Sequence, residues 1–105
     1  MQNMLSTLAL CRRAGYLVHG FDVVKEAMEY KTAKVVILAS DVSDKTKKEA
    51  IFFANRFNCP IIQTEHTIEQ FWTVCSKKVA VIGICDKGFA KGFLKNYDDL
   101  RMIEG

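Results

Sequence analysis

Proline is almost absent from this chain, with one residue at position 60, and no serine-, glycine- or acid-rich tract occurs. A flexible linker or low-complexity segment therefore has nothing to be built from. Long apolar runs are missing too. The longest, Val79 to Cys85, is interrupted by Gly83 and falls far short of the roughly 20 residues that a membrane-spanning helix needs. The start Met1-Gln2-Asn3 lacks the charged stretch, apolar core and cleavage site of a secretory signal. Cysteines number four, Cys11, Cys59, Cys75 and Cys85, without a CxxC pair or a following histidine pair. That spacing argues against a zinc site or redox couple, and the apolar neighbours of each thiol fit small buried hydrophobes in a reducing cytoplasm. GxSxG, HExxH, Walker and GxGxxG patterns are absent as well, and the two histidines, His19 and His66, lie in separate turns. No metal, cofactor or catalytic constellation is expected.

What the chain does have is 105 residues of which 50% are hydrophobic and 26% charged. That is enough for one domain, residues 1–105, with a packed core. The net charge of +3, from 15 basic and 12 acidic side chains, is too small to specify a partner by itself. Its distribution carries more: Arg12-Arg13, Lys31 with Lys34, Lys45 with Lys47-Lys48, Lys77-Lys78, and Lys87 with Lys91 and Lys95 cluster beside expected turns.

Hydrophobic periodicity predicts alternating helices and strands. Met1, Met4, Leu5, Leu8 and Cys11 step by three and four, giving a helix over residues 2 to 13 that Gly15 ends. Leu17-Val18 form a short strand. A second helix runs from Gly20 to Lys31 with Val23, Val24, Ala27 and Met28 on one face. Lys34 to Ala39 is a β-branched, apolar run of the kind buried on both sides of a central sheet. Ser43 caps a third helix to Asn58, with Ala50, Ile51, Phe53, Ala54 and Phe57 inward and Phe52 partly exposed. After Pro60 come the strand Ile61 to Gln63, a helix capped by Thr67 with Ile68, Phe71, Trp72 and Cys75 inward, the strand Val79 to Ile84, and a last helix capped by Asp86. This order implies an α/β class fold, a largely parallel or mixed sheet with helices on both faces, whose strand ends offer the site.

The turn Ala14 to Lys25 is the strongest local signal. Gly15 and Gly20 permit positive φ on either side of a short strand, and the helix that follows presents unpaired N–H groups to an anion or a nucleic-acid edge. Lys25 adds a mobile charge, although it also stands four residues before Glu29, the spacing of an ordinary surface pair. Cys85 beside Asp86 reads more simply as a strand end and a helix cap, and Asp41 as a turn residue without a second carboxylate. A phosphate cradle over Gly83 to Gly88 is disfavoured because Asp86 would repel the anion.

Taken in order, Arg12-Arg13-Ala14-Gly15-Tyr16-Leu17-Val18-His19-Gly20, Val23-Val24-Lys25-Glu26-Ala27, Ala33 to Ser43, Val79-Ala80-Val81 and Asp86-Lys87-Gly88-Phe89-Ala90 resemble the kink-turn RNA-binding family. That family includes archaeal ribosomal protein L-seven-Ae and eukaryotic L-thirty-e, and the likeness to its small bacterial members covers nearly the whole chain. The resemblance implies a three-layer α/β/α sandwich with a four-stranded mixed central sheet, and no catalysis. It implies RNA contacts at Gly20, Phe21, Asp22 and Lys25, an edge supported by Ala39, Ser40 and Asp41, and a capping loop of Val74, Cys75, Ser76, Lys77 and Lys78. The partner would be structured RNA, ribosomal or regulatory, with the ribosome itself a candidate and neither DNA nor membrane expected. Two departures stand out: the Gly20 to Lys25 spacing is one residue shorter than usual, and Asp22-Val23 occupies ground where Asn-Glu or Lys-Gln is common. Those departures keep open a protein-interaction module of the same fold; a small enzyme using Asp41 or Cys85 ranks last.

Overall fold

The computed structural model describes residues 4–101. Helix α1 (Met4–Arg13) leads into strand β1 (Leu17–His19), followed by α2 (Phe21–Glu29), β2 (Val35–Leu38), α3 (Asp44–Arg56), β3 (Ile61–Gln63), α4 (Ile68–Cys75), β4 (Val81–Ile84) and α5 (Lys87–Asn96). The elements follow the expected order; residues 2 and 3 of the expected first helix lie outside the described region. Gly15 and Gly20 have φ of 82° and 93°, so both bends around β1 use backbone that side chains disfavour.

Four strands form one sheet in the order β1-β4-β2-β3. β4 is antiparallel to both β1 and β2, with His19 opposite Ile82 and Leu38 opposite Val81, whereas β2 and β3 are parallel. The sheet is therefore mixed, with a single parallel pairing. One consequence positions everything that follows: the carboxyl ends of β1, β2 and β3 share an edge with the amino end of β4.

Alternation along β2 divides the core. Val35 and Ile37 pack with Leu8 and Cys11 of α1, Phe71 and Val74 of α4 and Phe93 of α5. Val36 and Leu38 face the other way, onto Val24, Ala27 and Met28 of α2 and Ala50 and Ala54 of α3. These are the three layers of the sandwich, and burial of such side chains is what holds helices of this length in place.

Two apolar side chains expected inward point outward instead. Val23 and Trp72 are each 52% exposed. The buried face of α2 is Val24, Ala27 and Met28, so Val23 is rotated by about 100° from that stripe. In α4 the buried set is Phe71, Val74 and Cys75, which leaves Trp72 at its flank. Phe52 is 58% exposed, as its position in α3 predicts.

Candidate functional site

The shared sheet edge gathers four turns. Gly20 N–H donates to Val81 O at 3.0 Å and Ala39 N–H to Ala80 O at 2.9 Å, linking the ends of β1 and β2 to the start of β4. Thr64 N–H donates to Leu38 O at 3.0 Å and Ser40 N–H to His66 O at 2.8 Å. The side chain of Gln63 donates to Ala39 O at 3.2 Å, and Asp41 Oδ1 accepts the N–H of Ile68 at 2.9 Å. These bonds make the Gly20, Ala39 to Asp41 and Glu65 to Thr67 turns and the approach to β4 one connected rim.

Helix α2 opens on this rim, and its start differs from those of α3, α4 and α5. Ser43, Thr67 and Asp86 each accept a first-turn N–H through a side chain, and Thr67 with Gln70 completes a capping box. Gly20 offers no side chain to α2, and no side-chain hydrogen bond caps it. Its first N–H groups are left for solvent or a ligand, at the positive end of the helix dipole. Asp22 is exposed and Phe21 half-buried there, the Phe21 ring resting 6.2 Å from that of Phe53. Lys25 Nζ lies 4.3 Å from the centre of the Phe53 ring, a cation–π placement rather than the helix-surface pair with Glu29. Around it, Asp22, Glu26, Glu29 and Tyr30 line a shallow depression of about 420 Å³, so this lysine works among carboxylates.

Across the rim, Asp41, Ile68, Glu69, Trp72 and Lys78 line a second depression of about 470 Å³. An exposed indole beside a lysine is a surface on which a base can stack while its phosphate is neutralised. Sequence reading missed Trp72 because its four-residue step from Ile68 mimics a core position; the basic pair Lys77-Lys78 five residues on was the available signal.

The expected capping loop is shorter than predicted. Val74 and Cys75 belong to α4 and are 7% and 1% exposed, so their side chains face the core, and the loop begins at Ser76, whose φ of 57° is left-handed. Arg12 holds that turn: its Nη1 donates to Val74 O at 2.7 Å and to the Ser76 hydroxyl Oγ at 3.3 Å, satisfying one carbonyl at the helix end. Ser76, Lys77 and Lys78 are exposed. Ala39 is fully buried, leaving Ser40 and Asp41 as the accessible part of its turn. Lys34 sits at the opposite edge, where its N–H donates to Ile84 O at 2.7 Å and its ammonium to Lys31 O at 2.8 Å.

The groups of the enzyme alternative have structural roles. Asp41 supports α4, and burial pushes the Cys85 thiol up despite the opposing charge of Lys34 and a hydrogen bond from Thr32, while the neighbouring Asp86 caps α5 as expected, through Phe89 N–H at 3.0 Å. Such a thiol is the reverse of an activated nucleophile. Among the described residues no helix is long and apolar enough to cross a membrane.

Comparison with known proteins agrees with this architecture. The sequence is 32% identical over 92 residues to RNA-binding protein YlxQ of Enterococcus faecium, covering 86% of each chain. It is 28% identical over 91 residues to RNA-binding protein YlxQ of Bacillus subtilis (strain 168), covering 87% of this chain and 91% of that one. A solved structure of a protein with unknown function from Bacillus halodurans C superposes with a TM-score of 0.79 at 27% identity, over 87% of this chain and 92% of the other. Residues 2–93 match the ribosomal protein L7Ae/L30e/S12e/Gadd45 family, and the chain belongs to that family.

Proposed function

We propose that this protein is a non-enzymatic binder of structured RNA that reads a kinked or bulged site with the start of α2. The uncapped helix start at Gly20, placed on the rim with Lys25 one turn in, carries the reading. Membership of the family and the names of the two YlxQ relatives support RNA as the ligand class.

Regular A-form RNA hides its base edges in a deep, narrow groove, so a protein needs a kink or bulge to reach them. At such an opening Lys25 donates to guanine O6 or N7, and the exposed Asp22 carboxylate accepts from guanine N1 or N2. The carboxylates lining the α2 depression repel phosphate, which biases this end toward bases over backbone. Ser76, Lys77 and Lys78 close over the far side, with Trp72 and Lys78 receiving an unstacked nucleotide between them. Ribosomal or regulatory RNA in the cytoplasm is the partner this implies.

Gel shift with a kink-turn duplex and a plain duplex of equal length tests the reading. Preference for the kinked RNA, lost in Lys25→Ala, is expected; no shift at low salt, or equal binding of both RNAs with no effect of the substitution, would sink it.

A further inference from the structure

We propose that the outer ridge of α3, made by Lys45, Lys48, Phe52 and Arg56, is a second RNA-contacting surface that holds a single-stranded segment leading away from the rim. The proposal rests on the RNA reading above for its anchor. Steps of three, four and four residues place these side chains on one face of α3. All four are exposed, Phe52 by 58%.

Phe52 is held from behind without being covered. It meets Phe53 edge to face, with centroids 5.1 Å apart at 82°. Phe53 in turn stacks on Phe57 at 6.2 Å and carries the Lys25 ammonium, while the Arg56 guanidinium lies 5.8 Å from the centre of the Phe57 ring. An apolar ring fixed in water between a lysine one turn before it and an arginine one turn after it is a stacking platform with phosphate contacts on both sides. Unpaired bases supply the free faces that such a ring takes.

The ridge also starts in the right place. Lys45 lies four residues after Asp41 of the rim, and from there to Arg56 the helix advances about 16 Å. On the neighbouring helix Asp22, Glu26 and Glu29 present carboxylates, whereas the α3 face has the half-buried Glu49 against Lys45, Lys48 and Arg56, and this imbalance favours a phosphate backbone on α3.

The test uses fluorescence anisotropy with three probes: a blunt kink-turn duplex, the same duplex with a single-stranded extension of about eight nucleotides at either end, and the single strand alone. The extension is expected to tighten binding from one end, and Phe52→Ala to remove about fivefold or more of that gain. Lys45→Gln/Lys48→Gln/Arg56→Gln should lower the salt slope for the extended RNA by about 2, at about 0.7 per phosphate. Both variants should keep blunt-duplex affinity within about twofold and an unchanged circular dichroism spectrum. Equal wild-type affinity for blunt and extended duplexes, or a gain that survives both variants, overturns the proposal. So does a changed oligomeric state with unchanged RNA affinity, which would mark the ridge as a contact between copies. Binding of the single strand alone, lost in Phe52→Ala while the blunt duplex fails to bind the wild type, would uphold the ridge and remove the α2 reading instead.

Discussion

The carboxylate of Asp41 accepts the backbone N–H of Ile68 at 2.9 Å, joining the turn after β2 to the first turn of α4. It satisfies an N–H that the Thr67 cap does not reach, and puts negative charge at the positive end of the helix. Asp41→Ala is expected to lower stability by about 1 kcal/mol, read as an earlier urea midpoint, with Asp41→Asn retaining part of it. RNA affinity should fall with Asp41→Ala, because Ile68, Trp72 and Lys78 share the depression that Asp41 lines. An unchanged midpoint would show that the bond contributes nothing to holding α4.

Gly20 is the other backbone position on which the rim depends. Its φ of 93° with ψ of 143° belongs to glycine, and a Cβ there would meet nothing within 4 Å. Strain rather than collision is therefore what an alanine would bring, about 1 to 3 kcal/mol. Gly20→Ala is expected to lose that much in chemical denaturation and, because the peptide that precedes α2 reorients, to weaken kinked-RNA binding beyond the Lys25→Ala effect. A variant as stable as wild type would refute the strain.

Much of this architecture is legible in the residues. Three- and four-residue apolar steps and the β-branched run through β2 set helix and strand identities, and Ser43, Thr67 and Asp86 announce their caps. Strand order is not contained in that pattern: β4 inserts between β1 and β2 through long-range pairing that no local preference encodes. The rim is half legible. Gly20 and Asp41 stand at strand ends that the sequence marks, but Val74 and Cys75 belong to α4, with buried side chains and a helix end whose carbonyl is taken by Arg12, 62 residues from Val74. Trp72 and Val23 have apolar side chains at plausible helical steps, and only the packed faces of α4 and α2 show which steps are buried.

Lys25 combines two attractions that substitution can separate. Over Phe53 its ammonium contributes roughly 0.5 to 1 kcal/mol, whereas in RNA recognition it supplies a donor and a charge. Lys25→Met keeps the aliphatic cover of Phe53 but gives up the cation–π contact, so stability should fall by no more than about 1 kcal/mol. Affinity for kinked RNA should drop about tenfold, in line with one base contact of about 1 to 3 kcal/mol. Lys25→Arg should restore part of it. Equal losses of stability and binding in Lys25→Met would instead assign the residue to packing.

Tyr97 and Glu65 set a pH signature next to the rim. The Tyr97 hydroxyl donates to both Glu65 carboxylate oxygens, at 2.5 and 3.0 Å. That bond, with a backbone hydrogen bond, holds the Glu65 carboxyl below its usual range, while burial and the same bond push Tyr97 up to about 12. Glu65, lowered on folding, adds stability that is present above its ordinary value of 4.5 and is lost as pH falls through the folded one. Tyr97, raised on folding, adds stability that is present below 10.0 and is lost as pH climbs from there toward about 12. Tyr97→Phe should therefore flatten both limbs of a stability profile, and carbon-detected NMR should find the Glu65 midpoint moved upward. A Glu65 midpoint that stays where it is in the variant would locate the cause in the backbone hydrogen bond alone, and a steep alkaline limb that survives the substitution would show that another group releases the proton.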